Sequence, residues 1–458
     1  MPNNIPEGIG SLIESETDVE TSSTDLFLPP INELSLQSAV EYDVRPLSEN
    51  STGPFEFLIP QETSLYIDPS SFRLSGEISM KKVSAGGVLS NISDDDKVSV
   101  CNFTPHSLFR SAEVYINGRC MSYIASPKLC LKTVMEIMLS YGNDAARTHL
   151  SAVGWDPDEK SDGEPSYDAV STNVGWKNRK SRLIGGKKMD FCINLHLDIL
   201  NVERLLPDFV NMKVILQRNK DDYTIMADKE FAKDKSFQLE LHNLVLHYRK
   251  ITLNQSKHES IQRIFSSGKR AIYPLTRTQF KTHALPQGQT DVKIYNLFPG
   301  PIQPKSIYVA FLDTAAFTGT PTSNPYELKH YGINSIQMTT NGRQMPIRPL
   351  KLNLENDNFM RAYRWLFDNC GVQHANTGNL VTPARYKNGF TVFAFDNSPD
   401  KCGMFHRHIA QNGSVDFDLT FKTAIPAGAM AVFHATYDDT FEINSDGIAY
   451  MQSGVLTV

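Results

Sequence analysis

Apolar and polar residues alternate with a period of two over short stretches along most of the chain, the spacing of a strand with one buried face. In Glu113-Val114-Tyr115-Ile116-Asn117-Gly118-Arg119-Cys120-Met121 the alternation runs into Asn-Gly. That dipeptide accepts positive φ at both central positions of a type I′ hairpin turn. The same device returns as Ile336-Gln337-Met338-Thr339-Thr340-Asn341-Gly342-Arg343-Gln344-Met345, with Asn341 standing 224 positions after Asn117 (341 − 117) in a chain of 458. After the first hairpin, residues 128–141 carry Leu131, Val134, Met135, Met138 and Leu139 at helical spacing; after the second, residues 358–369 carry Phe359, Tyr363, Leu366 and Phe367. Further on, Met189-Asp190-Phe191-Cys192-Ile193-Asn194-Leu195 is echoed by Val415-Asp416-Phe417-Asp418-Leu419-Thr420-Phe421, and Met212-Lys213-Val214-Ile215-Leu216 by Met430-Ala431-Val432-Phe433. Matches in a common order predict two copies of one β-rich domain.

The first copy offers strands at 39–44, 53–59, 72–83, 98–103, the hairpin, 189–197, 210–217 and 237–251. The second offers 271–275, 279–285, 290–297, 306–312, the hairpin, 389–395, 414–423, 430–436 and 440–443. About eight short strands per copy, a helix after the fourth or fifth and long loops toward one end predict an all-β chain. The expected architecture is two tandem jelly-roll β-sandwich domains, a double jelly roll, with short helices in the connecting loops. Residues 1–27, polar and rich in Ser, Thr and Glu, are expected to form a flexible arm. The first jelly roll is expected over 28–254 and the second, with a C-terminal tail, over 255–458, the polar stretch 254–269 linking them. Residues 142–188, 313–326 and 371–388 are predicted as long loops.

Composition narrows the chemistry. Forty per cent apolar and 21% charged residues supply two ordinary cores, and a net charge of −6 excludes a polycation that coats nucleic acid. The six cysteines form no CxxC pair, the start Met-Pro-Asn-Asn-Ile-Pro-Glu lacks the basic and apolar regions of a signal peptide, and no apolar run reaches bilayer length. Free thiols in a reducing compartment are therefore expected.

Nucleophile elbow, P-loop, HExxH and EF-hand patterns are absent from the sequence. The best metal pattern is Cys402-x3-His406-x-His408, which lacks a third ligand at defined spacing; no metal site is assigned. Asp94-Asp95-Asp96 reads as a hard-cation site or, with more weight, a solvated loop tip. The basic run Lys177-Asn178-Arg179-Lys180-Ser181-Arg182 beside Trp176 reads as a phosphate contact or a solvated loop. Arg119 and Arg343, following the two Asn-Gly turns, are candidates to pair with carboxylates across a subunit contact. Trp155, Trp176, Phe317 and Tyr386, in the long loops, are candidates for shielding by neighbouring subunits, or for packing on their own sandwich. No catalytic residue and no cofactor is expected.

Several segments carry a family resemblance: Ser23-Thr24-Asp25-Leu26-Phe27, Gly53-Pro54-Phe55-Glu56-Phe57-Leu58-Ile59-Pro60, Tyr66-Ile67-Asp68, His106-Ser107-Leu108-Phe109, Tyr115-Ile116-Asn117-Gly118, Leu139-Ser140-Tyr141-Gly142-Asn143-Asp144-Ala145 and, within 198–214, Arg204-Leu205-Leu206-Pro207. Together they resemble the hexon-type double jelly-roll major capsid protein of Polinton/Maverick elements and adintoviruses, most clearly over residues 23–226. The resemblance implies a homotrimeric, pseudo-hexameric capsomer in the icosahedral shell of a double-stranded DNA virus. It implies neighbouring capsomers, penton and minor capsid proteins as partners, and assembly inside the host cell. It leaves open a weak contact with packaged DNA or an inner membrane, and implies no small-molecule substrate. The rival readings are a carbohydrate-binding or carbohydrate-active double sandwich, and a penton or fibre protein, which would carry one jelly roll.

Overall fold

The computed structural model describes residues 32–48, 52–84, 86–124, 128–231, 236–300, 302–372, 376–399, 401, 407–409 and 411–451. The expected arm at 1–27 lies outside them.

The first half contributes β1 (Leu36–Val44), β2 (Phe55–Ile59), β3 (Leu65–Val83), β4 (Leu89–Asn91), β5 (Val98–Val100), β6 (Phe109–Ile116), β7 (Arg119–Ile124), β8 (Met189–Asn194), β9 (Met212–Arg218), β10 (Ile225–Ala227) and β11 (Ser236–Leu253). The second contributes β12 (Ala271–Ala284), β13 (Asp291–Ile294), β14 (Ser306–Asp313), β15 (Ile333–Thr340), β16 (Arg343–Lys351), β17 (Val392–Asp396), β18 (Val415–Phe421), β19 (Ala429–Ile443) and β20 (Ala449–Met451).

Among the described residues the two halves repeat one topology. In the first, β1-β11-β3-β8 forms one sheet and β2-β9-β6-β7 the sheet facing it; in the second, β12-β19-β14-β17 faces β13-β18-β15-β16. Each strand of the first set thus has a counterpart at the same place in the second, and the pairings between these strands are antiparallel. Two packed four-stranded sheets with this crossing order are jelly rolls. β4 beside β3, the β5–β10 pair and β20 beside β19 are additions.

Alternation selects the inward faces. β18 buries Val415, Phe417, Leu419 and Phe421 and leaves the residues between them partly solvated. Val114 and Ile116 on β6 and Met338 on β15 are fully buried in their respective rolls. Both Asn-Gly pairs close equivalent hairpins, with φ of 47° and 80° at Asn117 and Gly118 and 50° and 76° at Asn341 and Gly342.

The structure corrects three expectations. The echo of Met189–Asn194 in Val415–Phe421 joins strands that are not counterparts: β8 matches β17, and β18 matches β9. The echo of Met212 in Met430 is displaced in the same way, since β9 matches β18 and β19 matches β11. Period-two alternation recurs in every half-buried strand, so it marks a strand without saying which one. The two strands expected within 271–285 and the two within 430–443 are in each case one long strand, Ala271–Ala284 and Ala429–Ile443. Their polar centres stay in the ladder because Arg277 pairs with Asp439 at 2.9 Å and lies 4.7 Å over the Tyr437 ring, while Lys305 holds Asp438 at 3.3 Å. The link at 254–269 contains a helix, Gln255–Ser266, whose first turn is capped by the Asn254 side chain.

Candidate functional site

The feature that distinguishes this chain from two separate sandwiches is the junction between them. After β7 the chain enters the helix Lys128–Ser140, whose residues Leu129–Met135 and Ile137–Leu139 are all buried. Amphipathic helices usually bury one stripe. This one is covered on both sides, because it lies between the rolls. Cys130 donates from Sγ to the Phe109 carbonyl on β6 at 2.9 Å, and on the far side Leu380 N–H donates to the Met138 carbonyl at 3.0 Å. On the second roll, seven consecutive residues of β19, Ala429–Ala435, are buried, so both faces of that strand are covered. Phe433 points inward to Phe417, with ring centroids 5.2 Å apart, and His434 therefore points outward to the helix. The hydrophobic clusters interlock across the same boundary: Tyr273, Leu275, Phe441 and Ile443 of the second roll join the core of the first.

A charged cluster is buried in this junction. Lys132 Nζ lies 2.9 Å from Glu136 and 3.5 Å from Asp198, and donates to the His196 carbonyl at 2.8 Å. Asp198 in turn accepts from the Thr278 N–H at 2.8 Å and from its hydroxyl at 2.9 Å, which ties the first roll to β12 of the second. Glu136 also stands 3.4 Å from His196 Nδ1 and 3.6 Å from His434 Nε2. Burial is the largest single influence on the Glu136 carboxyl and would raise it, but the Lys132 ammonium together with His196 and His434 outweighs burial and holds it down at about 2. For Asp198 burial prevails and its pKa is raised. Burial pushes the His434 imidazole down to about 4, Glu136 only partly opposing it; both of its ring nitrogens lack a hydrogen-bond partner among the described residues. His106, with its ring 5.6 Å from that of His196, is also held well below the usual imidazole range by burial. Such a cluster specifies how the two rolls meet, since both carboxylates reach groups from both sides, Asp198 to Thr278 and Glu136 to His434. Sequence reading missed it. The signal was Lys132 and Glu136, an i,i+4 pair inside an otherwise apolar helix.

The segment 142–188, expected to be an open loop, is a strap that holds the second roll. It contains the helix Val174–Ser181, capped by Asn173, whose side chain accepts from the Trp176 N–H at 3.0 Å. Arg179, without solvent exposure, pairs with Asp158 at 2.5 Å and donates to the Val100 carbonyl at 2.8 Å. Asp158 also accepts from Asn324 of the second roll at 3.0 Å, and Glu159 pairs with Arg385 at 3.1 Å. The ring of Tyr167 lies so close to Gly389 that an added Cβ would come within 1.9 Å of it. Gly389 has φ of 89°, so two constraints require glycine there.

These contacts decide where the candidate residues stand. Trp155, Trp176 and Tyr386 are buried within their own chain: Arg385 lies 5.2 Å over the Trp155 ring, Trp176 donates from Nε1 to the Met226 carbonyl at 3.2 Å, and Tyr386 stacks 5.8 Å from Phe359. A single chain therefore already shields the three, which is the second of the two readings, packing within their own chain. Phe317 is half-buried against the second core. In the basic run, Arg179 is paired as described, Lys180 reaches the Asp94 carbonyl, and Arg182 pairs with Asp156 at 3.0 Å. Three of its four cations are thus engaged in the chain, which removes most of the phosphate-binding character. Asp96 is buried, pairing with Lys82 at 2.8 Å and accepting from the Ser93 N–H at 2.9 Å, so the acidic triplet is partly structural. Cys402 and His406 lie outside the described residues. Among the described ones no group of three His, Cys, Asp or Glu is placed to hold a metal.

The two hairpin arginines part company. Arg119 lies 5.2 Å over the ring of Tyr450, beside β20 of the second roll, and Asn117 donates to the Gly447 carbonyl at 2.7 Å. The first hairpin is thus docked on the second roll. Arg343, its counterpart, is exposed.

No family model matches this sequence. The chain is 23% identical over 398 residues to the uncharacterised protein F54H12.2 of Caenorhabditis elegans, spanning 86% of this chain and 91% of that one. In structure it is similar to a chain of the Sputnik virophage solved by cryo-EM, with a TM-score of 0.59 and 12% identity over 99% of this chain and 95% of that chain. It is similar also to the crystal structure of the mavirus major capsid protein, with a TM-score of 0.53 and 13% identity over 97% of each. What these chains share with this one is the fold: a double jelly roll running nearly from end to end.

Proposed function

We propose that the chain is a major capsid protein, a structural subunit that assembles as a homotrimer into pseudo-hexameric capsomers of an icosahedral double-stranded DNA virus or virus-like element of the Polinton and adintovirus kind. The observation that carries this reading is the duplication itself. Two rolls of one topology sit side by side through a built junction, so three chains present six similar units and tile a hexagonal lattice with closed three-fold symmetry. The full-length likeness to virophage and capsid chains supports it. Lys132, Glu136, Asp198, Arg179, Asp158 and Asp96 are engaged in structural pairs, in keeping with a scaffold. Neighbouring capsomers, penton and minor capsid proteins are the partners, and the virion is the destination.

Mass photometry of the purified protein tests the reading. A dominant species at three times the chain mass of 51.4 kDa is expected, and negative-stain images should show six-lobed particles. A protein that remains monomeric at micromolar concentration would refute the assignment, since an obligate contact of this kind buries more than about 2,000 Å².

A further inference from the structure

In the second roll the long strand β19 is lined unevenly. One of its edges is filled by β12, from Ala271 opposite Ile443 to Ala284 opposite Met430. The other is shared by two strands: β14 takes Ala429–Thr436 and β20 takes Phe441–Ile443. Between them Tyr437–Thr440 has no strand beside it among the described residues. In the first roll the counterpart edge is lined by β3 alone, from Ser236 to Thr252 of β11, with two local irregularities. β20 therefore stands where the first part of β3 stands, and it stops short. An open ladder edge is a template for a further extended segment.

We propose that Gln452–Val458, which follow β20 and lie outside the described residues, prolong β20 across this gap, turn at Gly454 and seat Val455 and Leu456 in the pocket at its end. Register carries the first part. With Met451 opposite Phe441 in an antiparallel ladder, the next positions put Gln452 opposite Thr440, Ser453 opposite Asp439 and Gly454 opposite Asp438. Two small residues thus fall where Asp438 and Asp439 are already held by Lys305 and Arg277, at 3.3 and 2.9 Å. The way ahead is then blocked. Lys305 N–H donates to the Thr436 carbonyl at 2.7 Å, so the segment leading into β14 stands in the path. An extended tail has to turn here, and Gly454 has the conformational freedom to do it.

What lies beside the turn fits the residues that come next. Asp438 shares a pocket with Ile302, Gln303, Ser398, Pro399 and Ile409. Ile409 is 93% exposed. Gln303 and Ser398 are each more than nine-tenths buried, yet Gln303 Nε2 and Ser398 Oγ have no hydrogen-bond partner among the described residues. Buried polar atoms of that kind are rare unless a partner completes them. Val455 and Leu456 supply apolar cover for Ile302, Pro399 and Ile409, and their peptide carbonyls supply acceptors for the amide and the hydroxyl. The consequence reaches the first roll. Tyr450 on β20 lies between Arg119 and Arg270, 5.2 and 5.3 Å from them, so the strand that holds the first hairpin is itself held by the tail. The clasp is independent of the trimer reading, since every group in it belongs to one chain.

Hydrogen exchange followed by mass spectrometry tests this on the full chain and on a variant ending at Met451. Peptides covering 437–440 and 302–305 should exchange about ten-fold faster or more in the shortened protein, while those of β9 match. Leu456→Asp in the full chain should speed exchange at 302–305 and leave Phe441–Ile443 as in wild type. Equal rates at 437–440 in the full and shortened chains would overturn the proposal. Acceleration spread evenly over the shortened chain would overturn it too, as loss of the fold and not of a clasp. Wild-type rates at 302–305 in Leu456→Asp would overturn the seat in the pocket. Protection of 437–440 that falls on dilution of the full chain would overturn it in favour of the tail of a second copy.

Discussion

Acidification should loosen the junction through His434. Its imidazole has an ordinary pKa of 6.5 and is held at about 4 by burial between the helix Lys128–Ser140 and the rings of Phe280 and Tyr308. Glu136, at 3.6 Å, draws a proton toward it and Lys132 repels one. A folded pKa below the unfolded value means that stability is complete above pH 6.5 and is lost as pH falls toward 4, because the unfolded chain takes up the proton first. At pH 5 the loss from this one group is about 2 kcal/mol, and the full shift is worth about 3, at roughly 1.4 kcal/mol per unit. For a roll of this size that corresponds to a drop of about 4–8 °C in melting temperature between pH 7.5 and 5. His434→Phe keeps an apolar ring and removes the ionisation. Differential scanning fluorimetry of both proteins across pH 7.5–4.5 isolates the term. The variant should lose about 4–8 °C less than wild type over that span. Parallel curves for the two would show that His434 does not titrate on unfolding and would refute the reasoning.

Two other substitutions address the same architecture. Lys132→Met removes the ammonium that both Glu136 and Asp198 contact and should destabilise by about 3–5 kcal/mol in guanidinium unfolding. Adding Glu136→Gln and Asp198→Asn should restore most of that loss, and a triple variant no better than the single one would contradict it. Arg179→Met strands Asp158 in the strap, so limited proteolysis within 142–188 should accelerate more than ten-fold; an unchanged digestion rate would show that the strap is held elsewhere.

The fold was legible in the sequence where local chemistry decides structure. Asn117-Gly118 and Asn341-Gly342 announce their turns because few other dipeptides take positive φ twice, and those turns identify counterpart hairpins. The helices after them were equally readable from apolar spacing. Legibility failed where a partner distant in sequence decides. Arg277 and Asp439 look like strand breakers until each is seen to neutralise the other. The strap looked like an open loop because Arg179, Asp158, Trp155 and Trp176 are polar or isolated in sequence, and their neighbours come from far along the chain: Val100 and Met226 in the first half, Asn324 and Arg385 in the second. Counterpart strands were misaligned beyond the hairpins because the two halves carry connections of different length between β7 and β8 and between β16 and β17.

The double-sided burial of the helix Lys128–Ser140 also sets a timetable for biosynthesis. Its apolar face toward the second roll rests on a strand that includes His434, 298 residues after Glu136 (434 − 136). At about 5–20 residues per second, roughly 15–60 s pass between synthesis of the helix and emergence of the surface that covers it. Throughout that interval the nascent first roll presents Val134, Met135, Met138 and their neighbours to its surroundings. The two rolls are therefore not successive, independent folding units: the first stays adhesive until the strand that carries His434 has emerged, and a holdase bound to that helix, or a slow ribosome, would govern the yield of folded protein.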